Sequence, residues 1–330
     1  MSPFKCQTLT IILTESCNLD CWMCDFGRKD SNAKLFSLEP FALVNLLKHS
    51  VFAKSLRVIN LTGGEPFLHP LIAEYCEKIQ EADLNFKLIF SSNGTLLKPM
   101  QTVFRRLKNT KNRAPADLLI SIDGITKHDQ QRKTDGALKK TLHNILTLKA
   151  EFPTLAIRTK FTITPVNFNE IFTSFQALTE MQLPISFKLI EYNPFYNNKN
   201  RSIQETFVLN LDQLSLVAEQ LSEVLRQPAA RHFTEPEKIR ELIASLATPW
   251  QRKMRCATPK KSILLATNLD VFTCKEFAPV TNLRSGSLDD LAQSPKAAAI
   301  AASEAKNEDH CNRCTSEMRM PKSSWRNLFA

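Results

Sequence analysis

The chain has 330 residues, 43% of them hydrophobic, with 43 Lys and Arg against 33 Asp and Glu, a formal charge of +10. No apolar run approaches the roughly 20 residues of a membrane span, and the N-terminus lacks the charged, apolar and small-residue succession of a secretory signal. A cytoplasmic protein with no membrane partner is therefore expected. Nine cysteines in a reducing compartment point to metal or redox use rather than disulfides. The basic residues are scattered and no aromatic–basic interleaving accompanies them, so a nucleic-acid partner is not expected.

In chain order, residues 7–14 are β-branched and short and read as a strand, and a cysteine-bearing loop follows. Ser37 stands where it would cap a helix with Phe41, Val44, Leu47 and Val51 at helical spacing. Residues 56–61 read as a buried strand ending in Thr62-Gly63-Gly64-Glu65-Pro66, and a helix is expected over 70–82. A third strand over 86–90 ends in Ser91-Ser92-Asn93-Gly94, and a helix over 98–108 follows. A fourth strand, 118–122, ends in Asp123-Gly124; the helix 137–151 carries Leu138, Leu142, Ile145 and Leu148. Strand 156–163, helix 168–181 and strand 185–190 complete six strand–helix alternations. Such alternation implies parallel strands with right-handed crossovers. By itself it allows either a doubly wound sheet or an open barrel. Helices are expected over 211–226 and 235–247, a hairpin over 263–273 and a helix over 288–302.

Cys17, Cys21 and Cys24 fall within eight residues of one loop. Three thiolates are one short of the four that close a zinc site or saturate a four-iron cluster. A cubane held by three keeps one iron open for a ligand. A zinc loop, or three unrelated thiols, would use the same residues. The C-x3-C-x2-C spacing resembles the signature of the radical S-adenosylmethionine (radical SAM) superfamily, and Gly63-Gly64-Glu65-Pro66 resembles its GGEP motif.

The resemblance implies an α/β fold with an open (β/α)6 partial TIM barrel over 1–200; the helices expected after it form a connection over 201–250 that the resemblance does not cover. It implies a 4Fe-4S cluster on Cys17, Cys21 and Cys24 that binds S-adenosylmethionine. It places Met23 near the adenine and the carbonyls of Gly63, Gly64, Glu65 and Pro66, with the Glu65 carboxylate behind them, at the ligand ammonium. Ser91, Asn93, Ser121 and Asp123 fall at the ribose and carboxylate. Arg158 and Lys160 lie two apart on one strand face, where Arg158 could hold the methionine carboxylate; Asn167, Glu191 and Tyr192 fall at further strand ends.

Cys256, Cys274, Cys311 and Cys314 make a second set of four, the number that saturates a cluster or a zinc ion. Their arrangement resembles the twitch (short SPASM-like) domain, implying a C-terminal β-hairpin and helix module over 251–330 with an auxiliary 4Fe-4S cluster. The family's glycine five places before the second cysteine is here Leu269, beside Asn268, which can itself take a left-handed turn. The expected activity is that of an oxidoreductase. Reductive cleavage of S-adenosylmethionine would give a 5′-deoxyadenosyl radical that abstracts a substrate hydrogen. The auxiliary cluster would then take an electron in oxidising or epimerising an alcohol, aminocyclitol or sugar. The alternative is a maturase of a ribosomal peptide; so few residues precede the first strand that a peptide-recognition domain would have to be a separate protein. The implied partners are a small-molecule or peptide substrate and an electron donor such as flavodoxin or ferredoxin. No general base is identified.

Overall fold

The computed structural model describes residues 5–26, 34–82, 86–109, 116–190, 209–247, 256 and 258–305. The chain alternates β1 (Thr8–Thr14), α1 (Pro40–His49), β2 (Val58–Gly63), α2 (Ile72–Glu81), β3 (Lys87–Ser92), α3 (Leu97–Asn109) and β4 (Ala116–Ser121). Then come α4 (His128–Arg132), α5 (Ala137–Glu151), β5 (Ala156–Ile163), α6 (Ile171–Glu180) and β6 (Ile185–Leu189). After them run α7 (Leu211–Arg226), α8 (Ala230–Phe233), α9 (Pro236–Ala247), α10 (Thr258–Lys261), β7 (Ser262–Leu265), β8 (Asp270–Phe272), β9 (Thr281–Asn282), α11 (Asp290–Gln293) and α12 (Pro295–Ala305). No helix among the described residues is long and apolar enough to cross a membrane. None of the described cysteines is in a disulfide.

The strands form one open sheet in the order β6-β5-β4-β3-β2-β1-β7-β8-β9. β1 to β6 are parallel, as the alternation predicts. Exposure alternates along them. Leu9, Ile11, Ile59, Leu61, Leu88, Phe90, Leu118, Ile120, Phe161 and Ile163 are buried, whereas Thr10, Asn60, Ser91, Leu119, Ser121 and Lys160 are half-exposed. The buried set is the helix side: a Cβ on Gly94 would lie 2.8 Å from both Ile120 of β4 and Thr141 of α5. A doubly wound sheet covers both faces and reads as near-continuous apolar strands. Here the second face is polar and half-open, the pattern of a half-barrel lumen.

Two differences follow from packing. α1 starts at Pro40 rather than Ser37, with Glu39 at its N-cap and no side-chain cap; proline's fixed φ suits that first position. The hairpin is no detached module. β7 pairs in parallel with β1 and β8 returns antiparallel to β7, so it extends the same sheet. Leu269 itself takes the left-handed conformation at φ 70°. Its side chain is buried in the common core; that burial offsets a backbone cost of about 1–2 kcal/mol. At the other edge, Gln220 of α7 donates to the Phe168 carbonyl at 2.8 Å and accepts from the Phe172 amide at 3.3 Å, docking α7 on α6.

Candidate functional site

The C-terminal ends of β1 to β4 converge. Gly64 N–H donates to the Thr14 carbonyl and Glu65 N–H to the Ser16 carbonyl, each at 2.8 Å. A Cβ on Gly63 would lie 2.3 Å from Thr14 O, and one on Gly64 2.2 Å from Ser16 O. The two glycines thus let the end of β2 press against the chain that enters the cysteine loop. Pro66 then opens a one-turn 3-10 helix, Pro66–Leu68. Phe67 stacks on Phe90 with ring centroids 5.6 Å apart, pinning the turn to the helix-side core.

The Glu65 carboxylate faces inward and has no exposed surface. It accepts from Ser92 Oγ at 2.9 Å, the Asn93 amide at 2.8 Å and the Phe67 amide at 3.3 Å. Burial outweighs these donors and pushes its pKa up to about 7. The Ser92 and Asn93 bonds tie β2 to β3, and with the Phe67 amide they use three of the carboxylate's roughly four acceptor positions. The Asn93 side chain is likewise committed. Its Nδ2 donates to Asn18 Oδ1 at 2.9 Å and lies 3.7 Å from Cys17 Sγ, and its Oδ1 accepts from Thr95 Oγ1 at 2.7 Å.

α4, a short element the sequence reading missed, sits against the cysteine loop. Trp22 N–H donates to the Gln131 carbonyl at 3.0 Å. Arg132 donates through Nη1 to Cys21 Sγ at 3.4 Å and through Nη2 to Asp123 Oδ2. Burial opposes the Arg132 charge, but Asp123 and then Cys21 hold its pKa above the usual arginine range. His128 Nδ1 accepts from the Asp123 amide at 3.1 Å, which leaves the proton on Nε2. Burial, then the charge of Arg132, lowers its pKa to about 3, so the ring is neutral. Asp123 Oδ1 accepts from the Thr162 amide at 2.8 Å, tying β4 to β5.

Burial pushes the Cys17 thiol up to about 11 and the Cys24 thiol up to about 12; the Leu19 and Phe26 backbones bond these sulfurs and work the other way. Among the described residues no three Cys, His, Asp or Glu side chains form a single-ion site. A cubane spreads its thiolates over separate irons and does not need that convergence. Hydrogen-bond donors at all three sulfurs, and a buried guanidinium whose Nε lacks a partner, suit an anionic thiolate cluster with a further ligand. These residues fit the expected group.

The remaining assignments separate. Ser91 Oγ donates to Asn60 Oδ1 at 3.0 Å; Ser91 and Ser121 face the half-open side below the thiol loop. Met23 is half-buried in the turn after Cys21. Arg158 is a correction. It sits near the start of β5, opposite Leu119, and bonds Asp117 at 2.7 Å, which also takes Lys87 at 2.8 Å. Arg158 and Lys160 share the half-open face, but Arg158 is near the start of its strand; among the described residues, Arg132 is the arginine bonded to a thiol of the loop. Asn167 is buried and donates to the Asp123 carbonyl at 2.9 Å, so it braces the site. Cys274 follows β8, whose Phe272 pairs with Leu264, and β7 begins opposite Thr8. It therefore lies toward the N-terminal end of the sheet, away from Cys17. Glu191, Tyr192, Cys311 and Cys314 lie outside the described residues.

An open parallel half-barrel with a three-thiol loop and a Gly-Gly-Glu-Pro turn at adjoining strand ends is built to hold a cluster and an amino-acid-bearing cofactor. Residues 11–171 match the model of the Radical SAM superfamily, so the chain contains a domain of that superfamily. It is 26% identical over 213 residues to a GTP 3′,8-cyclase of Helicobacter pylori, covering 62% of this chain and 61% of that protein. Over 86 residues it is 35% identical to a 7-carboxy-7-deazaguanine synthase of Rickettsia prowazekii, covering 26% of this chain and 35% of that protein. The chain thus spans less than two thirds of the length of these relatives. In fold it is similar to anSMEcpe with bound AdoMet (TM-score 0.67, 15% identity, 94% of this chain and 88% of that one). It is also similar to Streptococcus suis SuiB bound to the precursor peptide SuiA (TM-score 0.64, 15% identity, 94% and 71%).

Proposed function

We propose that this protein is a radical SAM enzyme that binds S-adenosylmethionine over the Cys17, Cys21 and Cys24 loop and removes a hydrogen atom from a substrate on the half-open sheet face. One observation carries the reading: four successive strand ends meet around the thiols in one hydrogen-bonded assembly. When bound, the cluster supplies the electron that splits the sulfonium into methionine and a 5′-deoxyadenosyl radical. The chain's own residues do the rest. Gly63 and Gly64 set the approach of β2 to the loop, and Asn93 and Arg132 donate to thiolate sulfurs. A low-potential protein such as flavodoxin or ferredoxin is the proposed electron source.

The relatives named above are a GTP 3′,8-cyclase and a 7-carboxy-7-deazaguanine synthase, so the expected oxidation of an alcohol, aminocyclitol or sugar draws no support from them. They give none to the peptide maturase either. The proposal therefore stops at hydrogen abstraction. An auxiliary cluster on Cys256, Cys274, Cys311 and Cys314 belongs to the proposal as well. Its support is Cys274, which lies toward the far end of the sheet, so that a substrate on the open face would lie between Cys17 and Cys274.

The test is anaerobic reconstitution with iron, sulfide and 5′-deoxyadenosine measured together. About eight irons per chain are expected for two four-iron clusters. Changing Cys17, Cys21 and Cys24 together to Ala should remove about half and abolish 5′-deoxyadenosine. Persistence of that product refutes the cofactor assignment. Cys311→Ala with Cys314→Ala should remove the other half and spare cofactor cleavage; iron unchanged in that variant refutes the auxiliary cluster.

A further inference from the structure

We propose that Arg132 is a positioning residue that sets the reduction potential of the cluster through the Cys21 sulfur, with Asp123 as its counterweight. The inference rests on the cluster reading above. Among the described residues, Arg132 is the guanidinium that reaches a thiol of the loop, with Nη1 3.4 Å from Cys21 Sγ. Its side chain is 9% exposed and that of Asp123 0%, so water screens neither charge strongly. α4 carries the guanidinium, and three attachments fix that helix. Asp123 takes Nη2, His128 takes the Asp123 amide, and Gln131 holds the Trp22 amide through its carbonyl and Thr162 O through Nε2 at 3.2 Å.

Hydrogen bonds to ligand sulfurs and local net charge are the protein's levers on cluster potential. A cation donating to a thiolate stabilises the more negative, reduced cluster and raises the potential. The Asp123 carboxylate acts in the opposite sense and also fixes where the guanidinium points. Lysine would keep the charge but not the two-pronged geometry that engages Asp123 and Cys21 together.

The experiment is a redox titration of the reconstituted full chain, following the electron paramagnetic resonance signal that responds to added S-adenosylmethionine, with cofactor binding measured beside it. Arg132→Met is expected to move the midpoint to a more negative potential and Asp123→Asn to a more positive one, with Arg132→Lys between wild type and Arg132→Met. If Arg132→Met leaves the midpoint in place and only weakens cofactor binding, Arg132 serves the cofactor and the proposal is overturned. Shifts of Arg132→Met and Asp123→Asn in the same direction overturn it too, since loss of packing then explains both. Should Arg132→Met retain no iron, the sign of the Asp123→Asn shift decides. Failure of the wild-type chain to take up iron sinks the cluster reading itself, a different outcome from any of these.

Discussion

The backbone amide of Asn93 donates to Glu65 Oε2 at 2.8 Å, from the end of β3 to the end of β2. The bond stays within the protein because Glu65 is fully buried. Burial also raises its pKa from 4.5 to about 7. The folded chain therefore keeps this proton at pH values where the unfolded chain has lost it. The stability it contributes is fully present below about pH 4.5 and is lost as pH rises to about 7, roughly 3 kcal/mol in all. Glu65→Gln should flatten that part of the profile. Urea unfolding of the iron-free chain between about pH 5 and 8 measures it; parallel wild-type and variant curves would sink the claim.

Gly63 and Gly64 are predicted to tolerate no side chain. The atoms that a Cβ would strike are backbone carbonyl oxygens and cannot rotate away, and Gly63 also sits at φ 150°. Gly63→Ala and Gly64→Ala should each cost more than about 3 kcal/mol and displace the thiol loop. Gly136, at φ 73° with nothing near its Cβ position, is the control, and Gly136→Ala should cost about 1 kcal/mol. Thermal unfolding with iron retention checks all three.

Glu170 should matter to α4 without approaching the thiols. Its carboxylate accepts from the amides of Ile125, Thr126 and Lys127 at 3.0–3.1 Å and from the Thr126 hydroxyl, holding the turn that leads into α4. Glu170→Ala leaves these part-buried donors to water, at about 1–2 kcal/mol. Amide hydrogen exchange should rise first in residues 124–132; an increase spread evenly over the chain would contradict this role.

Arg158 is predicted to serve the sheet and not the cofactor. Arg158→Met and Asp117→Asn should both lower stability, Asp117→Asn by about 1–2 kcal/mol because the buried carboxylate is lost while the two partly exposed cations remain hydrated. S-adenosylmethionine affinity should stay at the wild-type level in Arg158→Met. A tenfold loss of affinity there would restore Arg158 to the binding site.

Periodicity carried much of the fold. α5 (Ala137–Glu151), β5 (Ala156–Ile163) and α7 (Leu211–Arg226) fall where their apolar spacing puts them. α4 was illegible for a physical reason. His-Asp-Gln-Gln-Arg has no apolar stripe, yet His128, Gln131 and Arg132 are buried. Polar contacts with the cysteine loop and β5 bury it, and no window of local sequence records them. Leu269 shows the converse: a turn position that favours glycine holds a leucine because the core takes its side chain.

By itself, the sequence determined what is local: the spacing of Cys17, Cys21 and Cys24, the two glycines after β2, and the strand–helix alternation. These depend on covalent neighbours and on repeats of two or 3.6 residues. Tertiary structure alone decided that Glu65 turns inward, that Arg132 and not Arg158 stands beside a thiol, and that the hairpin joins β1. Each of these depends on strand register and on which ends meet, and residues far apart in the chain set them together.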